Sequence, residues 1–115
     1  MLGKRRGTEA ERQARHHLER QGLEFVAANY HCRRGEIDLV MRDGDTLVFV
    51  EVRQRTNPRF GGAAASVDFR KQHKLILTAE HYLQKHPHDG PVRIDVVAMA
   101  QENAIDWIRN AFQAS

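Results

Sequence analysis

Gly35-Glu36-Ile37-Asp38-Leu39-Val40-Met41-Arg42-Asp43-Gly44-Asp45-Thr46-Leu47-Val48-Phe49-Val50-Glu51-Val52-Arg53-Gln54-Arg55 reads as a β-hairpin that carries acids. Two runs rich in Val, Ile, Leu and Phe flank Asp43-Gly44-Asp45, and a short Asp/Gly loop between apolar runs is among the better local hairpin signals. A two-residue loop at Gly44-Asp45 sets Asp38 directly across from Glu51, and one at Asp43-Gly44 puts them diagonal on the same face. A loop one residue longer sends them to opposite faces, because side chains alternate along a strand. In the first two registers Ile37, Leu39 and Met41 share a face with Val48, Val50 and Val52. The other face then carries Glu36, Asp38, Val40, Leu47, Phe49, Glu51 and Arg53. Each face is mainly apolar near the turn, which suits an inner hairpin covered on both sides, with its acids toward the open end. Like charges gathered across strands call for a compensating cation, and Arg53 or a metal could supply it.

Working outward toward the N-terminus, Arg33-Arg34-Gly35 turns into the hairpin from a strand over residues 23–32, Leu-Glu-Phe-Val-Ala-Ala-Asn-Tyr-His-Cys. Before it, Thr8 and Glu11 have the spacing of a capping box. Ala10, Ala14 and Leu18 recur every four residues until Gly22, which predicts a helix from about Glu9 to Gln21. Glu9 in its first turn is a favourable charge on the helix dipole, and gains a further interest if that helix end points at the hairpin. Residues 1–7 form a short basic arm with Lys4, Arg5 and Arg6, expected to be flexible.

Toward the C-terminus, residues 54–66 contain Arg55, Pro58, Arg59 and paired glycines, and form a loop beside the charged strand end. From Val67 to about Lys85 the apolar positions Phe69, Ile76, Ala79, Tyr82 and Leu83 fall at helical spacing, and Pro87 with Asp89-Gly90-Pro91 ends that helix. Lys71 and Lys74 lie near its start. Residues 92–100 read as another strand, and 105–112 as a short strand or helical turn anchored by Trp107 and Ile108. Phe25, Phe49, Phe69, Tyr82 and Trp107 are all expected in the core, and Asp95 is expected to make a structural hydrogen bond.

The 115 residues are enough for one domain with a real core, without room for a second. No apolar run approaches the ~20 residues of a membrane span, residues 1–7 lack the apolar stretch of a secretory signal, and a single cysteine, Cys32, fits a reducing cytoplasm. The seven histidines are scattered, with no zinc spacing among them. The net charge of +3 conceals an asymmetry: residues 1–74 hold 15 Lys and Arg against 10 Asp and Glu, residues 75–115 hold 3 against 5. A basic excess in the same portion as the acidic hairpin suits a polyanion bound around a metal site.

An acidic residue, a gap, then Glu-x-Lys at a strand end is the arrangement of metal-dependent nucleases, in which carboxylates hold Mg2+ beside the attacked phosphate. Gly7-Thr8-Glu9 through Ala14, Gly35-Glu36-Ile37-Asp38-Leu39-Val40, Phe49-Val50-Glu51-Val52-Arg53, Phe60-Gly61, Lys71 through Leu75 and Arg93-Ile94-Asp95-Val96-Val97 follow one another in a specific order. In these residues the chain resembles the PD-(D/E)xK superfamily of restriction-endonuclease-like proteins. More closely it is similar to the small bacterial YraN family, related to archaeal Holliday-junction resolvases. The resemblance implies an α/β fold of order α-β-β-β-α-β, a three-layer core with a central mixed sheet flanked by helices. It implies Glu9, Asp38 and Glu51 as Mg2+- or Mn2+-binding acids, with the carbonyl of Val52 as a further ligand.

The usual lysine is Arg53 here, which stays charged and cannot deprotonate water but can still hold a phosphate. Superfamily members tolerate relocation of that lysine, so Lys71 or Lys74 could replace it. Catalysis is thus expected from Asp38, Glu51, Arg53 and Lys71, and contacts to DNA from Lys4, Arg5, Arg6, Arg33, Arg34, Arg55, Arg59 and Lys74. A nuclease for branched or flapped DNA is one reading, with a homodimer if it acts symmetrically on two strands. A weakened nucleic-acid-binding module of the same fold is a second. A surface ion-pair network is a third, and such pairs stabilise by only ~0–1 kcal/mol each.

Overall fold

The computed structural model describes residues 8–54, 67–99 and 104–112. Its elements in chain order are α1 (Glu9–Arg20), β1 (Glu24–Cys32), β2 (Gly35–Asp43), β3 (Thr46–Gln54), α2 (Phe69–Lys85), β4 (Val92–Met99) and β5 (Ile105–Ile108). The expected α/β order holds, and the stretch left open between strand and helical turn is the strand β5. The basic arm and Arg55 to Ser66 lie outside the described residues.

One mixed sheet runs in the order β1-β2-β3-β4-β5. Every neighbouring pair is antiparallel except β3 and β4, which are parallel and joined through α2, as a parallel pair requires a crossover. The helices cover opposite faces. Ala14 and Leu18 of α1 pack on Leu39, Met41, Val48 and Val50; Leu75, Ala79 and Tyr82 of α2 pack on Val40, Phe49, Ile94 and Val96. β2 and β3 are therefore apolar on both sides, as read from the hairpin. Each large side chain so buried contributes about 1.5–3 kcal/mol.

The hairpin loop is two residues long, since Asp43 pairs with Thr46, and Gly44 takes the positive φ of 62° that such a tight turn demands. This is the register that aims Asp38 at Glu51. One detail differs from simple alternation: Ile37 joins the cluster beneath α2, whereas Leu39, two residues on, joins the one beneath α1. Asn29 of β1, which faces this point between the pairs Ala28↔Leu39 and Tyr30↔Ile37, has φ 54°. A left-handed residue resets the side that the following side chains of its own strand take, and Tyr30, the next residue of β1 and the partner of Ile37, also packs with the α2 cluster; the two paired residues lie on that side together, so Ile37 does not share the face of Leu39 and Met41 as the pattern predicted.

Phe69 also departs from the sequence reading. It is 85% exposed, and the buried stripe of α2 begins at Leu75. Phe69 is the first residue of the helix, two turns before Ile76, and lies outside the buried cluster against which Ile76 and Leu83 pack.

Asp95 is structural, as expected. Fully buried, it accepts from Arg93 Nε at 3.0 Å, Trp107 Nε1 at 2.9 Å and the Asn110 amide at 2.9 Å. It thereby ties β4 to β5, and Arg93 reaches on to Asp43 at 3.1 Å. The parallel strand is seated by Gly90, where a Cβ would lie 2.4 Å from the Asp45 carbonyl oxygen. Only a bare backbone lets this segment pass the hairpin turn before Leu47 N–H bonds the Pro91 carbonyl at 3.0 Å. Gly90→Ala is expected to lower stability by about 1–3 kcal/mol in urea titrations; an unchanged midpoint would show that the turn yields freely.

Candidate functional site

Past Leu39↔Val50 no further β2–β3 pair forms, and the two strands open. Asp38 and Glu51 occupy the next positions. Free of a ladder partner there, the Val52 N–H donates to Asp38 Oδ2 at 2.8 Å. The opening continues into a cleft of about 440 Å³ lined by Thr8, Glu9, Glu11, Asp38, Glu51, Val52 and neighbouring residues. The start of α1 thus does point at the hairpin.

Glu51 is only 4% exposed. Its Oε2 stands 3.7 Å from Lys71 Nζ and 3.6 Å from Arg53 Nη1. Burial pushes the Glu51 carboxyl above its ordinary range, opposed by these two cations and by a hydrogen bond with Asp38. Asp38 is pushed up to about 8, first by burial and next by the charge of Glu51, against the opposing pull of the Val52 amide. Two carboxyls this close, out of water, hold one proton between them near neutrality. A cation in the cleft would replace that proton.

Glu9 lines the same cleft, but its carboxylate runs along its own helix. It accepts from Arg12 at 2.7 Å and Gln13 at 3.1 Å, bonds that hold its pKa down. Among the described residues no three His, Cys, Asp or Glu side chains converge closely enough to hold a metal ion. The acidic set is therefore a pair, Asp38 and Glu51, with Glu9 at the rim.

Glu11 is the residue whose place the sequence reading understated. Its capping role is present, with the Glu11 amide donating to Thr8 Oγ1 at 3.2 Å and the Thr8 amide donating back at 3.4 Å. Glu11 Oε1 also accepts from Asn29 Nδ2 at 3.1 Å and adds negative charge near Asp38. One bond thus fastens the helix start to the irregular point of β1. An asparagine in the middle of the strand, directly after the apolar run Phe25-Val26-Ala27-Ala28 and tolerant of positive φ, was the available signal.

Of the basic residues expected to meet DNA, Arg33, Arg34 and Lys74 are exposed. Gly35, just after the two arginines, would place a Cβ 3.5 Å from Lys74 Cβ. The β1–β2 turn and α2 therefore bring these three cations to one side of the site, with Lys71 one turn closer to Glu51. Lys4, Arg5, Arg6, Arg55 and Arg59 lie outside the described residues. A larger cavity of about 500 Å³ opens between α2 and β4, where Phe49, Ile76, Leu83 and Ile94 make a mostly apolar wall without a carboxylate pair. The pair of Asp38 and Glu51 lines the smaller cleft.

A family model described as "Uncharacterised protein family UPF0102" matches residues 10–99. The chain is 54% identical over 112 residues to a UPF0102 protein of Nitrosomonas europaea, covering 96% of this chain and 95% of the relative. To a UPF0102 protein of Pseudomonas fluorescens it is 50% identical over 111 residues, 94% and 92% of the two chains. To one of Methylobacillus flagellatus it is 52% identical over 113 residues, 96% and 99%.

Proposed function

This chain belongs to the UPF0102 family, in keeping with the YraN resemblance, and from its acidic cleft we propose that it is a metal-dependent endonuclease acting on DNA. The observation that carries the reading is the pairing of half-buried Asp38 with buried Glu51 at the splayed end of the hairpin, with Lys71 and Arg53 both within 4 Å of Glu51. An all-oxygen donor set suits Mg2+ or Mn2+, which are content with a few protein carboxylates and keep several waters. Asp38 and Glu51 would hold the ion, with the Val52 carbonyl and Glu9 as the further ligands that the family resemblance implies. Glu9 would first release Arg12 and Gln13. A bound ion would supply acidification of a water and neutralisation of phosphate charge.

The chain's own side chains do the rest. Lys71 stands on the same carboxylate oxygen as Arg53, at nearly the same distance, which fits a lysine relocated from the strand to the helix. Its ammonium can neutralise charge that develops on the attacked phosphate, and Arg53 can grip a phosphate through two parallel N–H bonds. Arg33, Arg34 and Lys74 extend this charge along the surface and would position the polyanion without reading its sequence. No described helix is long and apolar enough to cross a membrane; a cytoplasmic setting and branched or flapped substrates are part of the proposal. The second reading, a nucleic-acid-binding module with a weakened site, draws on the outward orientation of Glu9 along α1.

The test is cleavage of labelled duplex, flap, single-stranded and four-way-junction DNA in Mg2+, Mn2+ or EDTA. Cleavage that requires the ion is expected. Salt-sensitive binding without cleavage would favour the second reading. Lys71→Ala is expected to slow cleavage by about a hundredfold, and full retention of activity would remove Lys71 from the chemistry.

A further inference from the structure

Phe69 stands out among the described residues: it is a large hydrophobic side chain 85% exposed, where the next, Val92, is 46% exposed. Nothing local requires it. The cap of α2 is made by Asp68, whose Oδ1 accepts from the Lys71 amide at 2.9 Å, and phenylalanine is a weak helix former at such a position. Asp68 and Arg70 beside it are exposed and charged, and among the described residues no other large hydrophobic side chain but Val92 is exposed, so within them the ring does not belong to a broad apolar patch of the kind a protein partner would cover.

The flanks of α2 decide what lies to either side. Lys74 is on the flank toward the β1–β2 turn, against Gly35 and so near Arg33 and Arg34. Ile76 and Leu83 are on the opposite flank, toward β4, and Phe69, two turns before Ile76, continues that flank beyond the sheet. Lys71 lies between them and reaches Glu51. The start of α2 thus carries Lys74 on one flank, Lys71 against the acidic pair, and the exposed ring on the other flank.

We propose that Phe69 is a stacking platform for an unpaired nucleobase next to the cleavage site, and so selects DNA with single-stranded character. The inference rests on the nucleic-acid reading above. Every base has a π-face but only an unpaired one can offer it freely, so a lone exposed ring within a cationic surface discriminates by strandedness rather than by sequence.

The experiment measures fluorescence anisotropy of a short labelled oligo-dT and of a blunt duplex, in Ca2+ as a hard cation for the carboxylates, with wild type, Phe69→Ala and Phe69→Trp. Phe69→Ala is expected to weaken oligo-dT binding about tenfold and duplex binding less than twofold. Phe69→Trp should restore the affinity, and its added fluorescence should be quenched as oligo-dT binds. Equal losses on both DNAs, or none on either, would overturn the role of Phe69 and leave the nuclease reading standing. Wild type that binds neither DNA would overturn the nucleic-acid reading and this inference with it.

Discussion

Replacing Asp38 or Glu51 by alanine is expected to reduce metal-dependent DNA cleavage by on the order of a thousandfold, because each removes one of the two carboxylates, half-buried Asp38 and buried Glu51, that would hold the ion at the strand opening. On the proposed reading DNA binding should persist, since both changes delete negative charge from the surface that would meet phosphates. The two variants differ in their structural side effects. Asp38→Ala leaves the Val52 N–H without its acceptor, at a cost of about 1–3 kcal/mol. Glu51→Ala leaves Lys71 and Arg53 more than a third exposed to water, which can solvate both. Melting curves taken beside the cleavage assay separate misfolding from lost chemistry. A folded variant that still cuts at the wild-type rate would place the active site elsewhere.

The same pair makes the metal-free protein sensitive to pH in an unusual direction. The Asp38 carboxyl titrates near 8 in the fold against an ordinary value of 3.8. Between those values the unfolded chain has lost its proton while the folded one keeps it, so stability falls as pH rises, and the loss is complete above about 8. A proton retained by the fold over so wide a range of pH is linked to several kcal/mol of stability. Asp38→Asn keeps an oxygen for the Val52 N–H and has no proton to lose. In EDTA the variant should therefore be more stable than wild type at pH 8 and nearly equal to it at pH 5, with Mg2+ raising the melting temperature of wild type alone. Parallel stability profiles for the two proteins would show that Asp38 is not held protonated by the fold.

Much of this site is legible in the sequence. Asp43-Gly44-Asp45 between apolar runs marks the hairpin, and its loop length alone decides whether Asp38 and Glu51 meet; both two-residue options gather them, and the one at Gly44-Asp45 is the one adopted. The parallel partner of β3 follows from a helix between two strands, and the double-sided burial of β2 and β3 follows from apolar residues on both faces. Resemblance places Glu9 at the cleft, and its helix does open there.

What could not be read depends on geometry that periodicity does not encode. Alternation assumes a regular strand, and it is suspended beside the positive φ of Asn29, where the paired residues Tyr30 and Ile37 both lie on the α2 side. A helical stripe says which residues could face a sheet but not where the sheet ends, and for that reason the pattern assigns Phe69 to the core. The second role of Glu11 needs the distance to Asn29, a residue 18 positions away. The family pattern suggests Lys71 as a relocated lysine, and its nearness to Glu51 comes only from the packing of α2.

The parallel seam between β3 and β4 also has a meaning in time. β2 meets β3 through a two-residue turn, whereas β4 returns to β3 only after α2 and its flanking segments have been traversed, and the entropy of closing a loop grows with its length. Local contacts of this kind are expected to form ahead of distant ones, which would bring the carboxylates together in the hairpin before the helix that carries Lys71 docks. During that interval water or a proton must take the place of the ammonium. At that stage the acids have met with Arg53 of the hairpin beside them and the second cation, Lys71, yet to arrive.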